Sequence, residues 1–177
     1  MVSFEPSPNA LPYLARTVQE SPYAPRWQLV GAMVGEEQGE SEFFTAAPSE
    51  GAFDGSRPTG RVATTGRVLV PVTTLDHEWA ARECPRISVI KIDVEGGEFG
   101  VLQGATVCLR ETRPFVLLEW NEVNLKAHGA RLIDLLVCAE THRYSVLRLP
   151  DLVPIQTNGQ LRACAALGVE NFLLSPD

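Results

Sequence analysis

The apolar positions of this chain fall into short β-branched runs separated by stretches of three- and four-residue spacing, the signature of strands alternating with helices. Val2-Ser3-Phe4-Glu5 reads as the end of a strand, closed by Pro6 and Pro8. Leu11, Leu14 and Val18 then predict a helix over about 8–20, and the run WQLVGAMV predicts a strand over 27–34. Residues 35–66 are rich in Gly, Ser, Thr, Glu and Pro. Glu42-Phe43-Phe44 is the one extended piece expected there, and 46–66 is expected to be a mobile surface loop. A strand follows over 68–72, and Thr73-Thr74-Leu75-Asp76 offers capping oxygens to a helix reaching about residue 83. FVLLEW at 115–120 is a continuous apolar strand of the kind buried on both faces. Leu132, Leu135, Leu136 and Val137 predict a buried helix face over 130–140, and late strands are expected at 144–149 and 171–174.

The stretch SVIKIDVEGGEFGVLQGA at 88–105 organises the rest. Ile87, Val89, Ile90, Ile92 and Val94 are β-branched and suit a pleated, buried surface. Gly96 and Gly97 let the backbone turn sharply. Phe99, Leu102, Ala105 and Leu109 then recur on one helical face. Counting in twos, Lys91, Asp93 and Glu95 share one side of the strand, which puts two acids near its carboxyl end. In open α/β sheets ligands bind just outside such strand ends. The alternation of elements makes the fold class α/β, with a mostly parallel sheet.

Composition narrows the function. At 177 residues the chain suits a single domain over 1–177, and its 45% hydrophobic and 21% charged content is that of a globular protein. A net charge of -7 argues against a nucleic-acid or anionic-membrane partner, both of which need basic patches. No apolar run approaches the ~20 residues of a membrane span. Cys84, Cys108, Cys138 and Cys164 have no metal-ligand spacing, and Cys108 and Cys138 fall in apolar helical patterns. Free thiols and a reducing cytoplasm fit that usage. Asp76, Asp93, Glu95 and Glu98 carry oxygens a divalent ion takes, but no ligand loop is evident and no metal is expected.

Three stretches taken together, FEPSP at 4–8, VPVTTLD at 70–76 and IKIDVEGGEFGVLQGA at 90–105 followed by RPFVLLE, resemble the FkbM-like family of S-adenosylmethionine-dependent methyltransferases. The resemblance implies a Rossmann-like class I methyltransferase sheet with an antiparallel last strand. It also implies S-adenosylmethionine as cofactor, and methyl transfer to a small-molecule acceptor, a hydroxyl of a sugar or secondary metabolite. Glu5 matches the acid that closes the second strand and binds the cofactor's ribose hydroxyls. Asp93 and Glu95 match the acids of the family's KIDVEG signature beside the reacting methyl group, Asp93 also bordering the cofactor. Glu119 sits at the corresponding end of the fifth strand. These three are the catalytic candidates.

Trp120, Asn121 and Asn124 are candidates for the acceptor wall, and His128 for a residue facing the acceptor. The ribose acid of such folds usually follows a glycine-rich turn by ~20 residues, whereas four residues precede Glu5 here. The first strand and its glycine turn are therefore expected to be missing, leaving an N-terminally incomplete domain with weak or no cofactor binding. The alternative class is a non-catalytic remnant or interaction module of the same fold. A dinucleotide-binding oxidoreductase half fits Glu5 alone, but the KIDVEG stretch argues against it.

Overall fold

The structure is a computed structural model that describes residues 1–47, 54–58 and 63–177. The chain begins with strand β1 (Val2–Phe4), helix α1 (Leu11–Glu20) and strand β2 (Gln28–Val30), and the two strands pair in parallel. Strands β3 (Met33–Val34), β4 (Gly39–Thr45) and β5 (Gly66–Thr73) form a second small sheet in the order β3-β5-β4. The run at 27–34 is thus two strands rather than one. It breaks at Gly31 and Ala32, so β2 serves the first sheet and β3 the second. The extended piece at 42–44 is longer than expected, because its whole length from Gly39 pairs antiparallel with β5.

Helix α2 (Leu75–Ala80) starts on Thr74, whose side chain accepts from the His77 N–H. Strand β6 (Val89–Ile92) carries the expected central unit. The helix expected after it is two helices, α3 (Glu98–Gln103) and α4 (Thr106–Thr112). The cause is a close approach at Gly104, where a Cβ would lie 2.1 Å from the Gly35 carbonyl oxygen. The Gly104 carbonyl accepts from the Asp76 N–H, and the Asp76 carboxylate in turn accepts from the Val107 and Cys108 N–H groups. Asp76 therefore caps α4, where an acid satisfies orphan donors, more than it serves its own helix. The expected apolar face survives the break, with Leu102, Ala105 and Leu109 fully buried.

Strand β7 (Phe115–Glu119), helices α5 (Glu122–Ala127) and α6 (Asp134–His142), strands β8 (Tyr144–Arg148) and β9 (Val153–Ile155), helix α7 (Asn158–Ala166) and strand β10 (Asn171–Pro176) complete the chain. Helix α6 starts four residues later than expected, which turns Val137 outward while Leu135 and Ala139 are buried. The main sheet runs β6-β7-β10-β8-β9. Strands β6 and β7 are parallel, and β10 lies between β7 and β8, antiparallel to both. With β6, β7 and β8 in one direction, β10 reversed between β7 and β8, and β9 a short antiparallel edge strand, the α/β pattern is the Rossmann-like arrangement expected.

No strand among the described residues joins β1 to β6. Each pairs on one side only, and Val89 of β6 is 62% exposed. Two pieces of 46–66 are docked: Ala46 and Asp54 are buried, and Gly55 exchanges both backbone hydrogen bonds with Phe44, whereas residues 57, 58 and 63–65 are exposed. Residues 48–53 and 59–62 of that stretch lie outside the described residues.

Candidate active site

A cavity of about 710 Å³ opens where the end of β1 comes opposite the end of β6. Its walls include Glu5, Ser7 and Asp54 on one side and Asp93, Glu95, Gly96 and Gly97 on the other, with Phe99 and His128 between. The volume is that of a small-molecule pocket. Two prolines, which lack the ladder N–H, stop β1 just after Glu5, and the Glu5 N–H still donates to the Val30 carbonyl. The Glu5 carboxylate is half-buried and accepts from the Ser7 N–H at 2.8 Å. Burial pushes its pKa up, the Ser7 N–H opposes that, and the Asp54 charge adds to it.

The opposite wall is the elbow after β6. Glu95 and Gly96 both have positive φ, 55° and 105°, and a Cβ on Gly96 would lie 2.5 Å from the Asn124 carbonyl oxygen. Only glycine fits there. Glu98 holds the elbow: its carboxylate folds back to accept from the Val94 and Gly96 N–H groups while its residue is 2% exposed. Burial raises its pKa against those two donors. Glu98 is also the first residue of α3, so one acid serves both the turn and the helix start.

Asp93, Glu95 and Glu119 come together, each offering a carboxylate oxygen within 4.8 Å of the others'. Lys91 pairs with Asp93 at 2.5 Å, and Asn124 donates to Glu95 at 2.9 Å. Glu119 does not line the cavity. Its pKa is pushed up to about 7, first by burial and then by the charges of Glu95, Asp93 and Glu170. A carboxyl poised near neutrality both holds and accepts a proton at working pH, which suits a general base. The same three oxygens are also a donor set that a hard divalent cation takes. The Asp76 and Glu98 expected to accompany them in any such site are engaged elsewhere, on α4 and on the elbow.

The family model for the methyltransferase FkbM domain matches residues 1–146. The chain belongs to this family. A solved structure described as methyltransferase FkbM from Methylobacillus flagellatus is similar, with a TM-score of 0.54 and 17% identity over 98% of this chain. This chain spans 35% of that one. No curated protein matches.

Within this FkbM domain, several residues singled out in the sequence fall elsewhere than expected. Trp120 is in the core, 1% exposed, its Nε1–H donating to the Leu132 carbonyl. Asn121 caps α5, accepting from the Val123 and Asn124 N–H groups, and its amide donates to Glu170. Neither it nor Asn124 lines the cavity. His128 does, packed over Gly96 and Gly97, and burial lowers its pKa, with the Arg57 charge adding to it.

Sequence reasoning missed Ser7, Asn9 and Asp54. The Ser-Pro-Asn turn after Glu5 was a signal for the first two, since Ser and Asn bond local backbone in turns. Nothing in the sequence pairs either with Asp54, 45 or more residues away.

Proposed function

We propose that this FkbM domain is an S-adenosylmethionine-dependent O-methyltransferase acting on a hydroxyl of a sugar or secondary metabolite. The observation that carries the reading is the cavity with Glu5 on one wall and the Asp93–Glu95 elbow on the other. The residues present fit the cofactor. A half-buried carboxylate at a strand end accepts hydrogen bonds from both hydroxyls of a ribose. Acids on the facing wall favour a cationic sulfonium. When bound, the cofactor supplies an electrophilic methyl group.

Glu5 holds the ribose, and Asp93 borders the cofactor from the elbow. Asp93 and Glu95 orient the acceptor hydroxyl, and alignment of the two reactants supplies much of the rate. Glu119, held near neutrality by its acidic neighbours, takes the hydroxyl proton through the cluster. The reading needs no metal. The four free thiols fit a reducing compartment such as the cytoplasm.

Calorimetric titration of S-adenosylmethionine into the purified chain tests this, with thermal melting alongside. The expected result is weak binding, with a constant on the order of 0.1–1 mM, further weakened at least fivefold by Glu5→Gln. No heat at millimolar cofactor, with an unchanged melting temperature, sinks the reading for this chain. A second reading, a non-catalytic form of the fold that serves as an interaction module, then stands. It is favoured by the edges of β1 and β6, which no strand among the described residues covers, since exposed edges recruit other strands.

A further inference from the structure

Asp54 is 8% exposed, an acid in a sparsely packed part of the molecule. Buried carboxylates need donors, and among the described residues this one has three. One oxygen accepts from the Ala46 N–H at 2.7 Å, and the other accepts from the Ser7 hydroxyl and from the Asn9 amide at 3.0 Å. Ser7 is itself 2% exposed. A serine hydroxyl has one proton to donate, and Ser7 gives it to Asp54. Its lone pairs are thereby turned toward the Asn9 and Ala10 N–H groups, which they accept at 3.0 and 3.2 Å. With the hydroxyl and the backbone of Ser7 fixed in this way, the Ser7 N–H points at Glu5 and donates to it.

We propose that Asp54 is the positioning residue for Glu5: through Ser7 it locks the turn after β1, so that the Glu5 carboxylate meets a ligand in one orientation. The adjacent Gly55 carries the same segment to the other wall. It is hydrogen-bonded to Phe44 in both directions, and a Cβ built on it lies 3.6 Å from the Glu95 Cβ. The segment that holds the Glu5 turn thus also passes close to the elbow. The inference deepens the proposed function, and rests on it only where cofactor affinity is the readout.

The test compares Asp54→Ala and Asp54→Asn with the unaltered chain and with Val70→Ala, a destabilising control in β5 away from the cavity. Two readouts are taken: S-adenosylmethionine affinity by calorimetry, and the Ser7 amide proton shift by NMR as Glu5 is titrated with acid. In the unaltered chain the Ser7 amide is expected to follow the Glu5 titration, because it is bonded to that carboxylate. Asp54→Ala is expected to weaken cofactor binding at least tenfold and to remove at least half of the Ser7 titration amplitude. Asp54→Asn, which keeps an acceptor for Ala46, is expected to recover part of both, and Val70→Ala to change neither.

A lowered melting temperature in Asp54→Ala, with affinity and Ser7 amplitude both unchanged, overturns the proposal and leaves Asp54 a purely structural acid. If the unaltered chain binds no cofactor, the ribose role of Glu5 fails, and the Ser7 amplitude alone decides. Its loss in Asp54→Ala upholds the positioning role, and its persistence overturns it.

Discussion

The two halves of the molecule are built to different standards. From Ile92 to Leu174 one continuous core holds Leu102, Leu118, Trp120, Leu135 and Phe172 at 1% exposure or less. Before residue 89, buried apolar residues among those described are only Ala32, Phe43, Ala46 and Val70. Helices α1 and α2 bury none of their residues. Val34 and Leu75 are the described side chains of that half that pack on the main core. The candidate cofactor acid Glu5 therefore stands on the sparse half, and the acids of the elbow on the dense one. Polar contacts such as those of Asp54 and Asp76 do in the first half what apolar packing does in the second.

The largest effect that separates the halves is a core truncation. Phe172→Ala is expected to cost about 3–5 kcal/mol, the range for a fully buried aromatic, whereas Leu14→Ala on half-exposed α1 is expected to cost under ~1 kcal/mol. Equilibrium denaturation of both variants checks this, and comparable losses would mean that the two halves unfold as a single unit with evenly shared stability.

The next effect lies at the junction. Gly104→Ala drives a methyl into the Gly35 carbonyl at 2.1 Å, an overpacking expected to cost about 1–3 kcal/mol. Amide hydrogen exchange should show protection lost chiefly around Gly35, Asp76 and α4, with β7, β8 and β10 retained. Equal loss throughout β7 and β10 would contradict the picture of a self-sufficient C-terminal core.

Much of the dense half was legible in the sequence. Period-two and three-to-four spacing work where one face is buried, and β6, β7, β8 and β10 were all expected within a residue or two of where they lie. Helix α5 was missed because its six residues give no apolar period, although Asn121 carried a cap signal. The split of α3 from α4 could not be read, since Gly104 looks like any helix glycine until Gly35 is placed against it. The sparse half was less legible for the same physical reason that it is sparse: few apolar residues means little periodicity. Glu5, Asp93, Glu95 and Glu119 could be named from motif and strand-end position. That three of them share one cluster, and that Asp54 bonds Ser7 in the turn beside the fourth, are long-range facts that no local spacing encodes.

The smallest expected effect concerns that cluster and its charge. Glu119 has its pKa raised from the ordinary carboxylate range to about 7 by burial and by Glu95, Asp93 and Glu170. A carboxyl whose folded-state pKa lies above its unfolded one binds the proton more tightly when folded. Its contribution to stability is fully present below about pH 4.5 and is lost as pH rises through about 7. Glu119 is partly exposed, so solvent screens the repulsion and the effect is modest.

Glu119→Gln removes the titrating group while keeping its size. It is expected to melt slightly higher than the unaltered chain at pH 8, to match it near pH 4.5, and so to flatten the melting profile between them. With Glu119 in its proposed role as proton acceptor, the same substitution should abolish any rise of methyl-transfer rate with pH near 7. A variant that melts lower than the unaltered chain at pH 8 would show that Glu119 is held there as a favourable, paired anion, and the acidic wall of the dense half would then be a fixed charge rather than a proton acceptor.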